Sequence, residues 1–99
     1  SVAPAELEAV LRQHPSVMEA AVIPKSDVVA GEVAKAFVVA RPGQRPTTRD
    51  IIQFVEDRVA PHKRIREVEF VWELPKTDTG EILRRKLVER ERARSQEPA

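Results

Sequence analysis

The sequence has no cysteine and no tyrosine, and it has only one tryptophan and three glycines among its 99 residues. Without cysteine, the chain can form no disulfide framework, no thiol nucleophile and no cysteine-based metal site. No apolar run approaches the roughly 18 residues of a transmembrane helix, and the first residues lack the basic and apolar regions of a signal peptide. Because the absence of disulfides fits the cytosol, we expect a cytoplasmic protein that does not enter the membrane.

The charges of the two signs nearly cancel. The chain has 17 lysines and arginines and 16 acidic residues, which gives a formal net charge of +1. A charge this small predicts no strong electrostatic attraction to nucleic acid. The basic residues after position 84 alternate with Glu89 and Glu91, which favours a solvated helix over a nucleic-acid surface. His14 and His62 lie beside prolines without ligand spacing, so we expect surface side chains and no metal site.

Length and composition predict a single globular domain. Apolar residues make up 41% of the chain and charged residues 33%, a balance typical of folded proteins. We expect one domain over residues 1–99, ordered from about residue 2 to residue 90. Beyond Leu87 the chain is rich in glutamate and arginine and has nothing to bury, so residues 91–99 should fray.

Apolar periodicity and helix breakers predict the element order α-β-β-α-β-α. Pro4 opens a first helix with Leu7 and Leu11 on one face, and Pro15 ends it. The remaining predicted elements are a strand over 17–23 that Pro24 ends, a polar loop over 25–32, a strand over 33–40, a helix that Thr47 or Thr48 caps and Pro61 ends, a half-buried strand through Val68, Phe70 and Trp72, and a helix from Ile82 onward. We therefore expect an α+β fold with a small three-stranded antiparallel sheet flanked by helices.

The most informative segment is 75–82, which reads Pro-Lys-Thr-Asp-Thr-Gly-Glu-Ile and precedes a basic helix. Alone it would be an ordinary polar loop. It resembles the motif Pro-Lys-Thr-x-x-Gly-Lys-Ile near the end of the AMP-forming acyl-CoA synthetases, in the adenylate-forming superfamily. Segments 2–8, 14–22, 31–39 and 59–64 resemble the same family in the same order. On this resemblance the chain is similar to the C-terminal lid domain of fatty-acyl and coumarate-type CoA ligases.

The resemblance implies a mobile domain of a larger enzyme that converts ATP, a carboxylic acid and CoA to acyl-CoA, AMP and pyrophosphate. The partner would be the N-terminal adenylation domain of the same chain, which would hold the acid and ATP with its Mg²⁺. The isolated domain should therefore bind no cofactor and catalyse nothing. The family presents its motif loop for adenylation, then rotates the domain so that another face helps to form the CoA tunnel.

Two sets of site residues follow from this resemblance. The motif-loop residues are Lys76, Gly80 and the residue at position 81. The residues on the CoA side are Val2, Ala3, Pro4, Gly31, Glu32, Lys63 and Arg64. The last two belong with Arg66 to a small basic cluster, which is either a solvated surface or a site for the phosphates of CoA.

Position 81 departs from the family, because Glu81 stands where the motif has the lysine that drives adenylation. Adenylation brings a carboxylate against the α-phosphate of ATP, and a cation stabilises the negative charge of the transition state. Two unit charges 4 Å apart interact by about 4 kcal/mol at an effective dielectric of about 20, so the reversed charge should impair adenylation. Conversion of a supplied acyl-adenylate to acyl-CoA should survive. Glu81 is either an introduced substitution or a feature of a natural degenerate copy.

Two alternatives remain open. The domain also resembles a protein-recognition module, since the motif lysine of this family is similar to known targets of regulatory lysine acetyltransferases, and Glu81 would block such modification. A small free-standing protein unrelated to ligases is supported by the chain length alone.

Overall fold

The computed structural model describes residues 2–98. Its elements are α1 (Pro4–Leu11), β1 (Val17–Asp27), β2 (Gly31–Ala40), α2 (Thr48–Glu56), a 3₁₀ turn (Pro61–Lys63), β3 (Ile65–Phe70) and α3 (Arg84–Ser95). The predicted order α-β-β-α-β-α and the α+β class are therefore confirmed. Across the described part of the chain, no helix is long and apolar enough to cross a membrane.

The sheet has the strand order β1-β2-β3 and is mixed rather than antiparallel. β1 and β2 form an antiparallel hairpin in which Ala21 lies opposite Phe37. β2 and β3 run parallel, with Ala36 opposite Val68, so the expectation of a fully antiparallel sheet is wrong for this pair. The chain leaves β2, forms α2 and returns to start β3, and such a helical crossover produces parallel pairing.

Strand β1 continues through Pro24, which was expected to end it, and stops only at Asp27. Pro24 lies opposite Ala34 of β2. Since β1 is an edge strand, a residue without an N–H is tolerated there. The hairpin turn follows Asp27, whose Oδ2 accepts the N–H groups of Val29 and Ala30 at 3.1 and 2.8 Å. The expected loop over 25–32 is thus a short turn between two longer strands.

Both faces of the sheet are covered, which gives the molecule three layers. On one face, α1 and α2 contribute Leu7, Leu11, Ile51 and Val55 to a core cluster. On the other face, Leu87 of α3 packs in a second cluster with strand residues that include Phe37. Residues 33–39 of the central strand are all buried, as expected for a strand covered on both sides.

Thr47 is the residue that caps α2, one of the two that the sequence offered. Its Oγ1 accepts the N–H of Asp50 at 3.0 Å, and Asp50 Oδ2 accepts the N–H of Thr47 at 3.2 Å. This reciprocal pair satisfies two N–H groups at the start of the helix, where no earlier carbonyl can accept them. It fixes the start of the helix that carries Ile51 and Val55 into the core.

Helix α3 begins at Arg84 rather than Ile82 and reaches Ser95, and the expectation that nothing beyond Leu87 is buried is wrong. Glu91 is 8% exposed. Its Oε1 accepts a hydrogen bond from Lys35 Nζ at 2.8 Å, and its Oε2 lies 3.1 Å from Lys25 Nζ. Ion pairs therefore hold this part of the helix on the sheet. A prediction based on apolar residues alone does not detect such contacts. Ala99, the last residue of the predicted tail, lies outside the described residues.

Lys35 is the buried cation of this network. The residue is 5% exposed, and its Nζ also donates to Glu69 Oε1 at 2.9 Å. Arg94 of α3 donates to the same Glu69 oxygen at 2.7 Å. Lys35 thus joins β2 to β3 and to α3 at one point. Removal of one partner from a buried ion pair strands the other charge, which is the costly way to break it.

Replacement of Lys35 by alanine should lower the free energy of unfolding by about 3 kcal/mol, because Glu91 would keep only Lys25 at 3.1 Å and the more distant Arg94 at 3.8 Å. Urea-induced unfolding followed by circular dichroism measures this. The matched control is Arg85→Ala, which removes an exposed contact of 3.8 Å with Glu89 and should cost less than about 0.5 kcal/mol. Equal losses in the two variants would contradict the role given to Lys35.

Acid should weaken the same network. Burial by itself raises the pKa of Glu91, but hydrogen bonds from Lys35 and Lys25 outweigh it and hold that pKa below the ordinary value of 4.5. A carboxyl group with a lowered folded-state pKa binds fewer protons when folded. Its stabilisation is present above about pH 4.5 and is lost as the pH falls through the folded-state pKa. Below about pH 4.5, the unfolding free energy should therefore fall more steeply in the wild type than in Glu91→Gln, and parallel curves would contradict this.

Candidate functional site

Residues 76–82, here called the motif loop, form a two-armed turn whose shape depends on its backbone. Lys76 and Ile82 pair as an isolated antiparallel bridge. The Thr77 N–H donates to the Glu81 carbonyl at 2.8 Å, and the Gly80 N–H donates to the Thr77 carbonyl at 3.0 Å. Gly80 has a φ of +90°, in the left-handed region that glycine tolerates and other residues rarely adopt. The predicted Gly80 is therefore required by the geometry of the turn.

Glu81 is held by its backbone, and the residue is exposed to solvent. Its N–H donates to Thr77 Oγ1 at 3.0 Å, and that hydroxyl lies 3.0 Å from Thr79 Oγ1. These bonds use groups that any residue except proline would supply at position 81. Position 81 is thus an exposed position on a fixed backbone, where the side chain can change without a change of fold.

Lys76 contacts the sheet rather than acting as a spare cation beside Glu81. Its Nζ lies 2.6 Å from Glu19 Oε1 of β1, in an ion contact whose angles fall outside those of a hydrogen bond. Glu19 Oε1 is buried and has no hydrogen-bond partner in the described part of the chain. The ammonium therefore supplies the close counter-charge for this oxygen, and Lys76 anchors one arm of the motif loop.

A groove of about 560 Å³, here called the basic groove, collects most of the residues expected on the CoA side. Of those predicted, the residues that line it are Val2, Glu32, Lys63 and Arg64. Arg66 and His62 line it too, so the basic cluster of the sequence faces one cavity. Ala3, Pro4 and Gly31 do not line the groove and lie beside it in sequence. Gly31 instead begins β2 with a φ of +83° and serves the hairpin turn.

The charge of the basic groove is only partly neutralised. Lys63 Nζ contacts both carboxylate oxygens of Glu6, at 3.0 and 3.2 Å. Arg64 and Arg66 are exposed in the same groove. Guanidinium groups bind phosphate oxygens through paired hydrogen bonds. The arrangement is chemically suited to a phosphorylated ligand, with Glu6 holding the lysine in place.

The motif loop and the basic groove belong to different layers of the domain. Ile82 of the loop packs on the cluster that contains Leu87 of α3. The groove is lined by Leu7 of α1, which belongs to the cluster on the other face of the sheet. One small domain therefore carries two separate candidate surfaces.

Sequence reasoning missed the pairing of Glu8 with Arg84. Glu8 is 3% exposed, and its Oε2 accepts hydrogen bonds from Arg84 Nε at 2.7 Å and from the Val22 N–H at 2.9 Å. The hydrogen bond to Glu8 raises the pKa of Arg84 above its ordinary value, against a smaller effect of burial. The available signal was a glutamate beside Leu7 and three residues before Leu11, on the buried side of α1, where a charge requires a partner.

An apolar surface was missed as well. Met18 and Phe70 are 41% and 38% exposed, and Trp72 is 97% exposed; together with the turn after β2 they line a groove of about 720 Å³. The expectation that Trp72 lies in a half-buried strand is wrong, because β3 ends at Phe70. The alternation of apolar residues at Val68, Phe70 and Trp72 extends beyond Phe70, where β3 ends.

The family model for the AMP-binding enzyme C-terminal domain matches residues 6–81, which is more than half of the chain. The chain belongs to this family. It is a C-terminal domain of the adenylate-forming CoA ligases, as its similarity to several such enzymes also shows. The resemblance carried by segment 75–82 and the four earlier segments is therefore confirmed at the level of the family.

The similar proteins are much longer than this chain. It is 48% identical over 88 residues to 4-coumarate–CoA ligase-like 5 of Oryza sativa subsp. japonica, a match that covers 89% of this chain and 16% of that protein. The acyl-CoA synthetase of Brucella canis is 36% identical with a TM-score of 0.89, over 94% of this chain and 18% of its own. The anthranilate CoA ligase AuaEII, solved with anthranoyl-AMP, is 41% identical with a TM-score of 0.87, over 95% and 19%.

Replacement of Gly80 by alanine should loosen the motif loop. A Cβ at position 80 meets no atom within 4 Å, so the cost is the left-handed backbone alone, about 1–2 kcal/mol. Amide hydrogen exchange should then accelerate at the Thr77 and Glu81 N–H groups. Gly43→Ala is a matched control, because Gly43 has a φ of +78° and equally open surroundings in a different turn. Acceleration of the same loop amides by Gly43→Ala would contradict a local effect.

Proposed function

We propose that this domain is the mobile lid of a longer acyl-CoA synthetase, which converts ATP, a carboxylic acid and CoA to acyl-CoA, AMP and pyrophosphate. Family membership supports this, as do relatives in which the matching segment makes up only 16% to 19% of the chain. One such relative, a CoA ligase, was solved with an acyl-adenylate, anthranoyl-AMP. By itself the domain catalyses nothing, because ATP with its Mg²⁺ and the acid bind to the adenylation domain.

The observation that carries the proposal is the preformed motif loop. Its hydrogen bonds between Thr77, Gly80 and Glu81 fix the backbone of position 81 without using that residue's side chain. A rigid loop that exposes the side chain of position 81 can place a charge against a reacting phosphate with little reorganisation, which is the requirement for electrostatic stabilisation. In this role the domain closes over the adenylation domain and inserts the loop beside the α-phosphate.

Glu81 makes this chain a poor partner for adenylation. A carboxylate near the α-phosphate repels the negative charge that develops in the transition state, where a cation would attract it. The second half-reaction, transfer of the acyl group from the adenylate to CoA, does not need a cation at this position once the domain has rotated. The lid is therefore competent to move and to assist thioester formation, and it is impaired in adenylation.

The basic groove is the surface that we assign to CoA in the rotated state. Its support is chemical: Lys63, Arg64 and Arg66 converge on one cavity, and CoA carries several phosphates that guanidinium groups bind well. The groove and the motif loop occupy different layers, which fits a domain that offers one surface for each half-reaction.

In the full-length synthetase, Glu81→Lys should raise the rate of acid-dependent pyrophosphate release by at least about 100-fold, a typical loss on removal of one group that stabilises a transition-state charge. Conversion of a supplied acyl-adenylate to acyl-CoA should stay unchanged. The matched control is Glu56→Lys, which makes the same change of charge at an exposed position of α2 and should alter neither rate. Full pyrophosphate release with Glu81 in place would overturn the proposed impairment.

A further inference from the structure

Both arms of the motif loop are tied by ion pairs to glutamates that contact one strand, β1. On the first arm, Lys76 contacts Glu19, which is itself a residue of β1. Just beyond the second arm, Arg84 contacts Glu8 of α1. Glu8 in turn accepts the N–H of Val22, which lies in the middle of β1. Two independent contacts therefore converge on the same edge of the sheet.

The Glu8 carboxylate is the stronger of the two anchors. It is nearly inaccessible to solvent, with a side-chain exposure of 4%. Arg84 reaches it with two nitrogens, Nε to Oε2 and one terminal nitrogen to Oε1, and such a two-point contact fixes orientation as well as distance. Because β1 is an edge strand, its outward N–H at Val22 needs an acceptor, and Glu8 supplies it. One carboxylate thus holds α1, β1 and the start of α3 together.

We propose that Arg84 and Glu8, together with Lys76 and Glu19, are positioning residues that clamp the motif loop to β1. Position 81 then keeps a fixed place relative to the sheet and travels with the domain as a whole. The clamp is a property of this chain itself. Only its consequence for adenylation rests on the proposed function.

The clamp acts on the loop more than on the rest of the fold. Helix α3 is docked independently, through the fully buried Leu87 and through the contact of Glu91 with Lys35. Between the two anchors, the Leu83 N–H donates to the Pro75 carbonyl at 2.9 Å and ties the arms to each other. Loss of Arg84 therefore frees the segment between these points, while both core clusters keep their apolar contacts. The stranded Glu8 carboxylate also lowers the stability of the whole fold.

The test is amide hydrogen exchange in this chain, comparing loop amides with core amides. Arg84→Gln should accelerate exchange at the Thr77, Gly80 and Glu81 N–H groups by about 10- to 100-fold, as expected for loss of hydrogen bonds to a charged group. Amides in the centre of β2 should accelerate less, through the loss of global stability that the stranded Glu8 carboxylate causes. Arg84→Lys keeps the charge but not the two-point geometry, and it should give an intermediate effect.

The matched control is Arg85→Gln at the next position. Arg85 makes only an exposed contact of 3.8 Å with Glu89, so its loss should leave the loop amides unchanged. Equal acceleration of loop and core amides by Arg84→Gln would overturn the clamp, because it would report global destabilisation. So would an equal effect of Arg85→Gln.

The other anchor allows a rescue experiment. Lys76→Glu and Glu19→Lys should each accelerate exchange in the loop, because each brings two like charges together. The double variant restores opposite charges and should recover most of the protection. Additive acceleration in the double variant would overturn a direct role for this pair.

A kinetic measurement separates the clamp from the proposed function. In the full-length synthetase carrying Glu81→Lys, Arg84→Gln should lower the kcat of adenylation and leave conversion of a supplied acyl-adenylate unchanged. Faster loop exchange with an unchanged adenylation rate would support the clamp and overturn the proposed use of the loop. Unchanged loop exchange would overturn the clamp whatever the kinetics.

Discussion

The central strand β2 is paired on both edges and buried on both faces, and the other elements take their places around it. Seven consecutive residues of this strand, 33–39, are buried, so helices must cover both sides of a sheet that has only three strands. Lys35 is the single charged residue of that run, and a buried ammonium is tolerated only with close anions. Glu69 and Glu91 supply them, which is why β3 and α3 meet at this point.

The sequence was sufficient for the elements that periodicity and capping define. The apolar spacing of α1 and the cap at Thr47 report local geometry, and both appear as predicted. The prediction that Pro24 ends β1 was wrong, because the effect of a proline on a strand depends on whether the strand lies at the edge of the sheet, which is a tertiary property. The length of α3 was underestimated because Glu91 is buried by pairing with lysines, and apolar patterns do not register such burial.

Some parts of the candidate site could likewise be predicted from the sequence, and others could not. The motif loop was found because its residues are adjacent in sequence, and Gly80 could be read as a turn residue. The basic groove joins Val2 to Lys63, residues far apart in the chain that only the resemblance to a family brought together. The family resemblance did not indicate the contact between Glu8 and Arg84. A glutamate next to Leu7 indicates that a partner exists but not which residue it is.

The structure also explains how a chain that matches the family so closely can carry a glutamate at position 81. The hydrogen bonds that shape the motif loop are made by backbone groups and by the hydroxyls of Thr77 and Thr79. The side chain at position 81 makes none of these bonds, so a reversal of its charge leaves the loop and its anchors intact. Likeness of fold and sequence thus reports membership of the family. In the function proposed above, adenylation depends on the charge at position 81, which such likeness does not weigh.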